Sequence, residues 1–314
     1  MTDKPTSHSK RKRFEFSLQA ILRLLFTAGI IIASAAILFL LVYRQRDILL
    51  QHEWNIQALP FFLSFGFYCI ALFLVIWIWT HIMDAVGTNI HFSKHFRFYS
   101  ISNLAKRIPG TIWYIASRAQ FYRAEAIPIR FTSLASGVEV AVTTVSGILV
   151  SLFFAVPIIT TFEISLWWFG LILLVGLVSI HPRVLGWLLK RMGAETSLFS
   201  YFALLKWLAG YIIVWILGGV VLFSIGNIIT TIELTHLGYL IGSWALIGVV
   251  TTALFFSPSN LGVTEVGLSL LLSNIMPAPI AVVIAISARI IIILYDIFWA
   301  IFSAVLLKRS DKVV

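Results

Sequence analysis

Asn103-Leu104-Ala105-Lys106-Arg107-Ile108-Pro109-Gly110-Thr111-Ile112-Trp113 and Ser257-Pro258-Ser259-Asn260-Leu261-Gly262-Val263-Thr264-Glu265 are polar stretches, broken by Pro and Gly and set among apolar segments. A bilayer offers no water to free N–H and C=O groups. Irregular backbone at membrane depth therefore survives only where protein or a water-filled cavity shields it. Two such breaks in one helical membrane chain point to a transport site rather than to a soluble enzyme.

Everything around the breaks is apolar. The chain has 314 residues and a mean hydropathy of +0.98, with 60% hydrophobic and 11% charged residues. Soluble domains carry about 25% charged residues. The expected fold class is therefore all-α, a polytopic membrane helix bundle. Runs of spanning length lie near 18–43, 59–80, 133–156, 164–180, 203–225, 238–256 and 280–307. The segments near 98–118 and 257–274 read as broken or re-entrant, which gives about eight membrane segments. Residues 1–17 form a basic tail, 18–307 a single membrane domain and 308–314 a short second tail. The tail carries Lys10-Arg11-Lys12-Arg13, and the run after it is too long for the core of a cleavable signal.

The net charge of +10 falls at the ends of apolar runs, which argues for a membrane surface and against nucleic acid. The N-terminal tail, 94–130, 181–200 and the C-terminal tail are basic, whereas 157–163, 226–237 and 274–279 contain no Lys or Arg. Positive charge stays inside, so both termini are expected in the cytoplasm of a cell carrying this chain in its inner membrane. Arg44 and Arg46 are the exception, partly balanced by Asp47 and Glu53. An even number of crossings then requires 257–274 as an eighth, interrupted crossing, with 98–118 dipping in and returning. Cys69 is the single cysteine, so no intramolecular disulfide forms.

The two halves echo each other. Pro109-Gly110 is followed by Ile127-Pro128 and then Glu139, and Asn260-Leu261-Gly262 by Met276-Pro277 and then Arg289. Each half reads as a broken turn, a Pro and a helix carrying a charge. Internal duplication of this kind is common in transporters.

An ionised group at the bilayer centre costs on the order of 3 kcal/mol, so such groups face inward and find partners. Ser136, Glu139, Thr143 and Ser146 share one helical face, as do Arg289 and Asp296. Two readings are open. One is a polar cavity for a lipid head group, with Arg289 on its phosphate. The other is a structural ion pair of Arg289 with Glu139 or Asp296. Lys106, Arg107 and Arg118 around Pro109-Gly110 suit phosphate, and equally suit anchoring at the cytoplasmic face. Asn260, Gly262 and Glu265 read as cavity lining or as a helix cap with an acidic first turn. Lys206 and Arg23 sit near span ends and snorkel.

Enzyme signals are poor. His91 and His95 are four apart but lack the Glu of a zinc-protease helix, so no metal and no cofactor is expected. Leu134-Ala135-Ser136-Gly137 lacks the first Gly of an intramembrane serine-protease motif, and no glycine-rich nucleotide loop is present.

Asn103, Lys106, Pro109-Gly110, Trp113, Arg118, Ile127-Pro128, Glu139 and Gly147, followed by Pro258, Asn260-Leu261-Gly262-Val263, Glu265, Pro277 and Arg289, resemble the lysylphosphatidylglycerol synthase transmembrane-region family. The resemblance spans almost the whole chain. It implies an inner-membrane bundle that moves lipids or lipid-linked sugars between leaflets. The chain ends at Val314, seven residues past its last apolar run, so transfer of lysine from tRNA is not expected. The expected function is a flippase-like transporter of an anionic phospholipid or lipid-linked glycan. Its head-group site would comprise Lys106, Arg107, Pro109, Gly110, Arg118, Glu139, Asn260, Gly262, Glu265, Arg289 and Asp296. The competing readings are a membrane-embedded transferase on a lipid-phosphate acceptor, and a non-transporting partner of a separate lipid-modifying enzyme. The partners expected are the membrane, an anionic phospholipid or lipid-linked sugar, a separate lipid-modifying enzyme and further copies of the chain in a homo-oligomer.

Overall fold

A computed structural model of the chain describes residues 29, 32–52, 54, 56–107, 112–155, 165–191, 200–253 and 262–310. Among these residues every regular element is helical. The helices are α1 (Ile32–Tyr43), α2 (Arg46–Gln51), α3 (Ala58–Ala85), α4 (Phe92–Leu104), α5 (Ile112–Ala124) and α6 (Ile129–Phe154). They continue with α7 (Leu166–Ser179), α8 (Pro182–Arg191), α9 (Tyr201–Ile229), α10 (Leu237–Ala253), α11 (Val263–Leu272) and α12 (Ala278–Ser310). Helices dominate because each satisfies its backbone within one segment, the condition a bilayer imposes. Five segments, Ala58–Ala85, Ile129–Phe154, Tyr201–Ile229, Leu234–Thr252 and Ala278–Val305, are long and apolar enough to cross a membrane. The chain has the make-up of an integral membrane protein.

Two units share one plan: a long helix, a hairpin of two shorter helices, and a second long helix. The first unit is α3, α4–α5 and α6. The second is α9, α10–α11 and α12. Their directions are opposed. The Gln57 N–H, at the start of α3, donates to the carbonyl of Ile228, at the end of α9, at 3.4 Å. At the other end of the pair, His81 and Asp84 of α3 face Ser200 and Lys206 at the start of α9. So α3 and α9 are antiparallel. The Tyr211 hydroxyl and the Trp215 indole of α9 meet Glu139 and the Thr143 carbonyl of α6 in the same order, so α6 runs with α9. Ser64 and Tyr68 of α3 meet Tyr295 and Asp296 of α12 in order, so α12 runs with α3. The second unit is the first turned over.

The hairpins are exchanged between units. Helix α4 packs on α12, and α10 packs on α6, so each hairpin lies against the long helix that closes the other unit. The second hairpin is held at its open end. The Tyr239 hydroxyl of α10 donates to the Leu271 carbonyl of α11 at 2.8 Å, and the Asn274 amide donates to Tyr239 at 3.1 Å. The sequence expectation takes 238–256 and 257–274 as successive crossings; the segment Leu234–Thr252 is long and apolar enough for one, and α11 is a shorter apolar helix of 10 residues. They are two arms whose outer ends meet on one side. The first hairpin turns across Ala105–Arg107, within the segment 98–118 that the sequence marks as broken.

The closest backbone approach is between α9 and α10. A Cβ added at Gly219 would lie 2.4 Å from the Cα of Ile241. Gly219→Val is therefore expected to push the second hairpin off α9. Overpacking of this kind costs about 1–3 kcal/mol. The check is a lowered melting temperature of the detergent-solubilised protein, followed by tryptophan fluorescence.

Candidate functional site

The turn of the first hairpin and the last turn of α10, in the second, border one central cavity of about 320 Å³. Lys106, in the turn of the first hairpin, lies in its wall opposite Thr251 and Thr252, in the last turn of α10. Tyr99, Tyr114, Glu139, Thr143, Tyr211, Trp215 and Trp244 supply most of the remaining lining. The site is thus built at the interface of the two inverted units.

Its charged core is a buried ion pair. Arg118, on α5, is fully buried and meets Glu139, on α6, with Nη1 2.5 Å from Oε2. The other carboxylate oxygen of Glu139 accepts from the Tyr99 hydroxyl at 2.6 Å and from the Tyr211 hydroxyl at 3.2 Å. Arg118 Nε donates to the Ser102 hydroxyl at 3.3 Å. The guanidinium carbon lies 4.1 Å from the Trp79 ring centre and 4.0 Å from that of Tyr99. Such contacts favour the cation most where water is excluded. Trp79 is fixed in turn, because its indole N–H donates to the Tyr122 hydroxyl at 2.7 Å. One nitrogen of Arg118, Nη2, is buried and finds no hydrogen-bond partner among the described residues.

Lys106 reaches the same aromatic group from the hairpin turn. Its ammonium lies 5.0 Å from the Tyr114 ring centre and 5.6 Å from that of Tyr99. Arg107 closes that turn. The side chain of Arg107, together with Pro109, Gly110 and Asn260, lies outside the described residues.

The second unit holds the counterpart pair with the charges exchanged. Glu265, on α11, meets Arg289, on α12, at 2.9 Å between Oε1 and Nη1. Glu265 also accepts the Gly262 N–H through Oε2 at 2.8 Å. The cap and the buried charge are therefore one residue doing both tasks, with one oxygen for each. Gly262 has φ +88°, and a Cβ there would lie 2.2 Å from the Cβ of Ser34, so α1 crosses directly over this end of the second hairpin. Only glycine meets both conditions.

Asp296 makes a third centre. It is buried, accepts from the Tyr68 hydroxyl, and takes the Asn103 amide at 2.7 Å. Asn103 lies in the last turn of α4, so Asp296 anchors the tip of the first hairpin on the closing helix of the other unit.

The expected single cluster of Glu139, Glu265 and Arg289 is thus divided. Glu139 is paired with Arg118, not Arg289, and Arg289 is paired with Glu265, not Asp296. Each charge takes the partner offered by its own unit's hairpin. Of the candidates, Lys106 and Glu139 line the central cavity, and Arg118 stands directly behind Glu139. The face of Ser136, Glu139 and Ser146 is buried, as its spacing implies, with Thr143 in the cavity wall. His91 and His95 play local parts. His91 caps α4 by accepting the Ser93 N–H, and His95 is buried beside Tyr122 at 2.5 Å.

Sequence reasoning missed Trp79, Tyr99, Tyr211 and Tyr68, because aromatic residues in a membrane chain are assigned to lipid by default. A usable signal was present: Tyr68 and Tyr211 fall well inside apolar runs, away from the interfaces where tyrosine normally collects. Compared with known proteins, the chain matches no family model and no curated protein.

Proposed function

We propose that the protein is a flippase-like transporter that carries the head group of a phospholipid or lipid-linked glycan between leaflets of the cell membrane. The observation that carries this reading is the meeting of two oppositely directed hairpins at one cavity, in which Lys106, Glu139 and three tyrosines stand among valine and tryptophan walls. Inverted units around a central site are the architecture of alternating access. In this reading both hairpins are re-entrant. Helix α11 has 10 residues, about 15 Å of helix, which is half of a hydrocarbon core of about 30 Å.

The charge inventory favours an anionic head group. Lys106, Arg107, Arg118 and Arg289 stand against Glu139, Glu265 and Asp296, and the tip sequences 105–111 and 254–261 contain no carboxylate. Lys106 takes the lipid phosphate, and the threonine and tyrosine hydroxyls take the uncharged part of the head. The acyl chains stay in the bilayer. The end of α3 and the start of α9 face the cytoplasm, because 94–130 and 181–200 hold the Lys and Arg while 226–237 and 274–279 hold none. The likeness to the lysylphosphatidylglycerol synthase transmembrane region points to the same activity.

Reconstitution into vesicles carrying a fluorescent phosphatidylglycerol in one leaflet tests this. The protein is expected to speed leaflet exchange above protein-free vesicles. Lys106→Ala is expected to slow exchange about tenfold, the equivalent of about 1.4 kcal/mol, close to the lower end for a hydrogen bond to a charged group. Lys106 is exposed in the turn, so its loss leaves the fold intact. Exchange at the protein-free rate across anionic phospholipids and lipid-linked sugars alike would end the transport reading.

A further inference from the structure

A second crevice, of about 260 Å³, lies at the end of the α3–α9 seam, away from the central cavity. Its walls include Trp77, His81 and Asp84 from the end of α3, and Ser200, Phe202 and Lys206 from the start of α9. The crevice holds opposite charges apart. Among the described residues, neither Asp84 nor Lys206 has an ion pair or a side-chain hydrogen bond; the Lys206 ammonium rests 4.3 Å from the Phe202 ring centre. Trp77 and Phe202 are 39% and 67% exposed, so the crevice opens at the lipid-facing surface.

A carboxylate and an ammonium line this one crevice without pairing with each other. Here they flank a gap with aromatic walls at the end of two spanning helices, the depth at which head groups lie. The gap is matched by a ligand carrying both charges in the opposite order. A phosphate meets Lys206, and an ammonium meets Asp84 beside Trp77, whose indole face also attracts a cation. The His81 ring is fixed against Trp77, with centroids 4.3 Å apart and Nδ1 2.8 Å from the Trp77 carbonyl; with Nδ1–H donating there, the neutral ring offers Nε2 as an acceptor, which suits the ligand's ammonium. A purely anionic lipid would set its charge against Asp84. A trimethylammonium head has no N–H to give the carboxylate.

We propose that this crevice is a binding site for one zwitterionic phospholipid with a primary amine, of the phosphatidylethanolamine class. It lies outside the path proposed for cargo. The bound lipid belongs to the leaflet at this end of the bundle and bridges α3 to α9, the seam that joins the two units.

The test is competitive lipid retention. Purified full-length protein is equilibrated in mixed micelles of phosphatidylethanolamine, phosphatidylcholine and phosphatidylglycerol in equal amounts, washed, and read by native mass spectrometry. One phosphatidylethanolamine is expected to be retained at least fivefold over either competitor. Asp84→Asn is expected to abolish the preference over phosphatidylcholine, and Lys206→Gln to lower retention of all three. Lys106→Ala, in the central cavity, is expected to leave the preference unchanged. Equal retention of the three lipids overturns the proposal. So does a preference that survives both crevice substitutions, or one that Lys106→Ala removes, because the lipid would then occupy the central cavity. Both crevice side chains are exposed, and an unchanged gel-filtration profile shows that the variants fold.

Discussion

Glu139→Ala is expected to destabilise the protein by about 3–5 kcal/mol, because it leaves the fully buried Arg118 guanidinium without its carboxylate. The loss has two parts. Arg118 keeps its place between Trp79 and Tyr99 but has no counter-charge, and the Tyr99 and Tyr211 hydroxyls lose their common acceptor. Glu139→Gln keeps an acceptor for the hydroxyls and is expected to cost less. The double substitution Arg118→Met with Glu139→Leu removes both charges together. It is expected to recover most of the stability, since apolar groups of similar size often replace a buried pair without loss. Thermal melts in detergent measure these differences, and vesicle assays then separate folding from transport. The double variant is expected to fold and to move lipid no faster than protein-free vesicles. A Glu139→Ala protein as stable as the parent would show that water reaches Arg118 and that the core is not dry.

Arg289→Glu is expected to be the second most damaging change, because it sets two carboxylates at the 2.9 Å contact now made with Glu265. This pair is less buried than the first, with side chains 11% and 18% exposed. The expected loss is correspondingly smaller, about 1–3 kcal/mol. The exchanged double, Glu265→Arg with Arg289→Glu, tests the relation between the units directly. The first unit already places its cation on the hairpin and its anion on the closing helix, as Arg118 and Glu139. The second unit is therefore expected to accept that order and to recover ion pairing. Recovery should be partial, because Glu265 also takes the Gly262 N–H, and an arginine has no acceptor to offer it. Melting temperature and leaflet exchange should move together along the series. A double variant no better than Arg289→Glu alone would show that the cap, rather than the charge pair, holds this hairpin.

Much of the site was legible in the chain because membrane insertion makes local composition decisive. Glu139, Arg289 and Asp296 were conspicuous as charges in apolar runs and Glu265 as the charge of the second break, and all four are buried or nearly so with partners. The repeated order of break, Pro and charged helix anticipated the two units. The partners were less legible. Arg118 precedes Glu139 by 21 residues across a turn, and nothing in that spacing distinguishes it from Arg123 or Arg130. The aromatic residues around Arg118 come from α3, α4 and α5, so no single window of sequence contains them.

The sequence by itself determined which long segments are helical and apolar, where polar stretches interrupt them, and that Glu265 stands at such an interruption as either cavity lining or a helix cap. Each of these is settled within one or two turns, by the cost of exposing backbone or charge to hydrocarbon. Only the tertiary structure decided that the hairpins are exchanged between inverted units, that Arg118 rather than Arg289 answers Glu139, and that Lys106 and the last turn of α10 border one cavity. Those choices depend on which helix faces which, and apolar faces that all suit lipid equally well carry little information about their neighbours. Close approaches such as Gly219 against Ile241 and Gly262 against Ser34 make that selection, and they exist only once the helices have met.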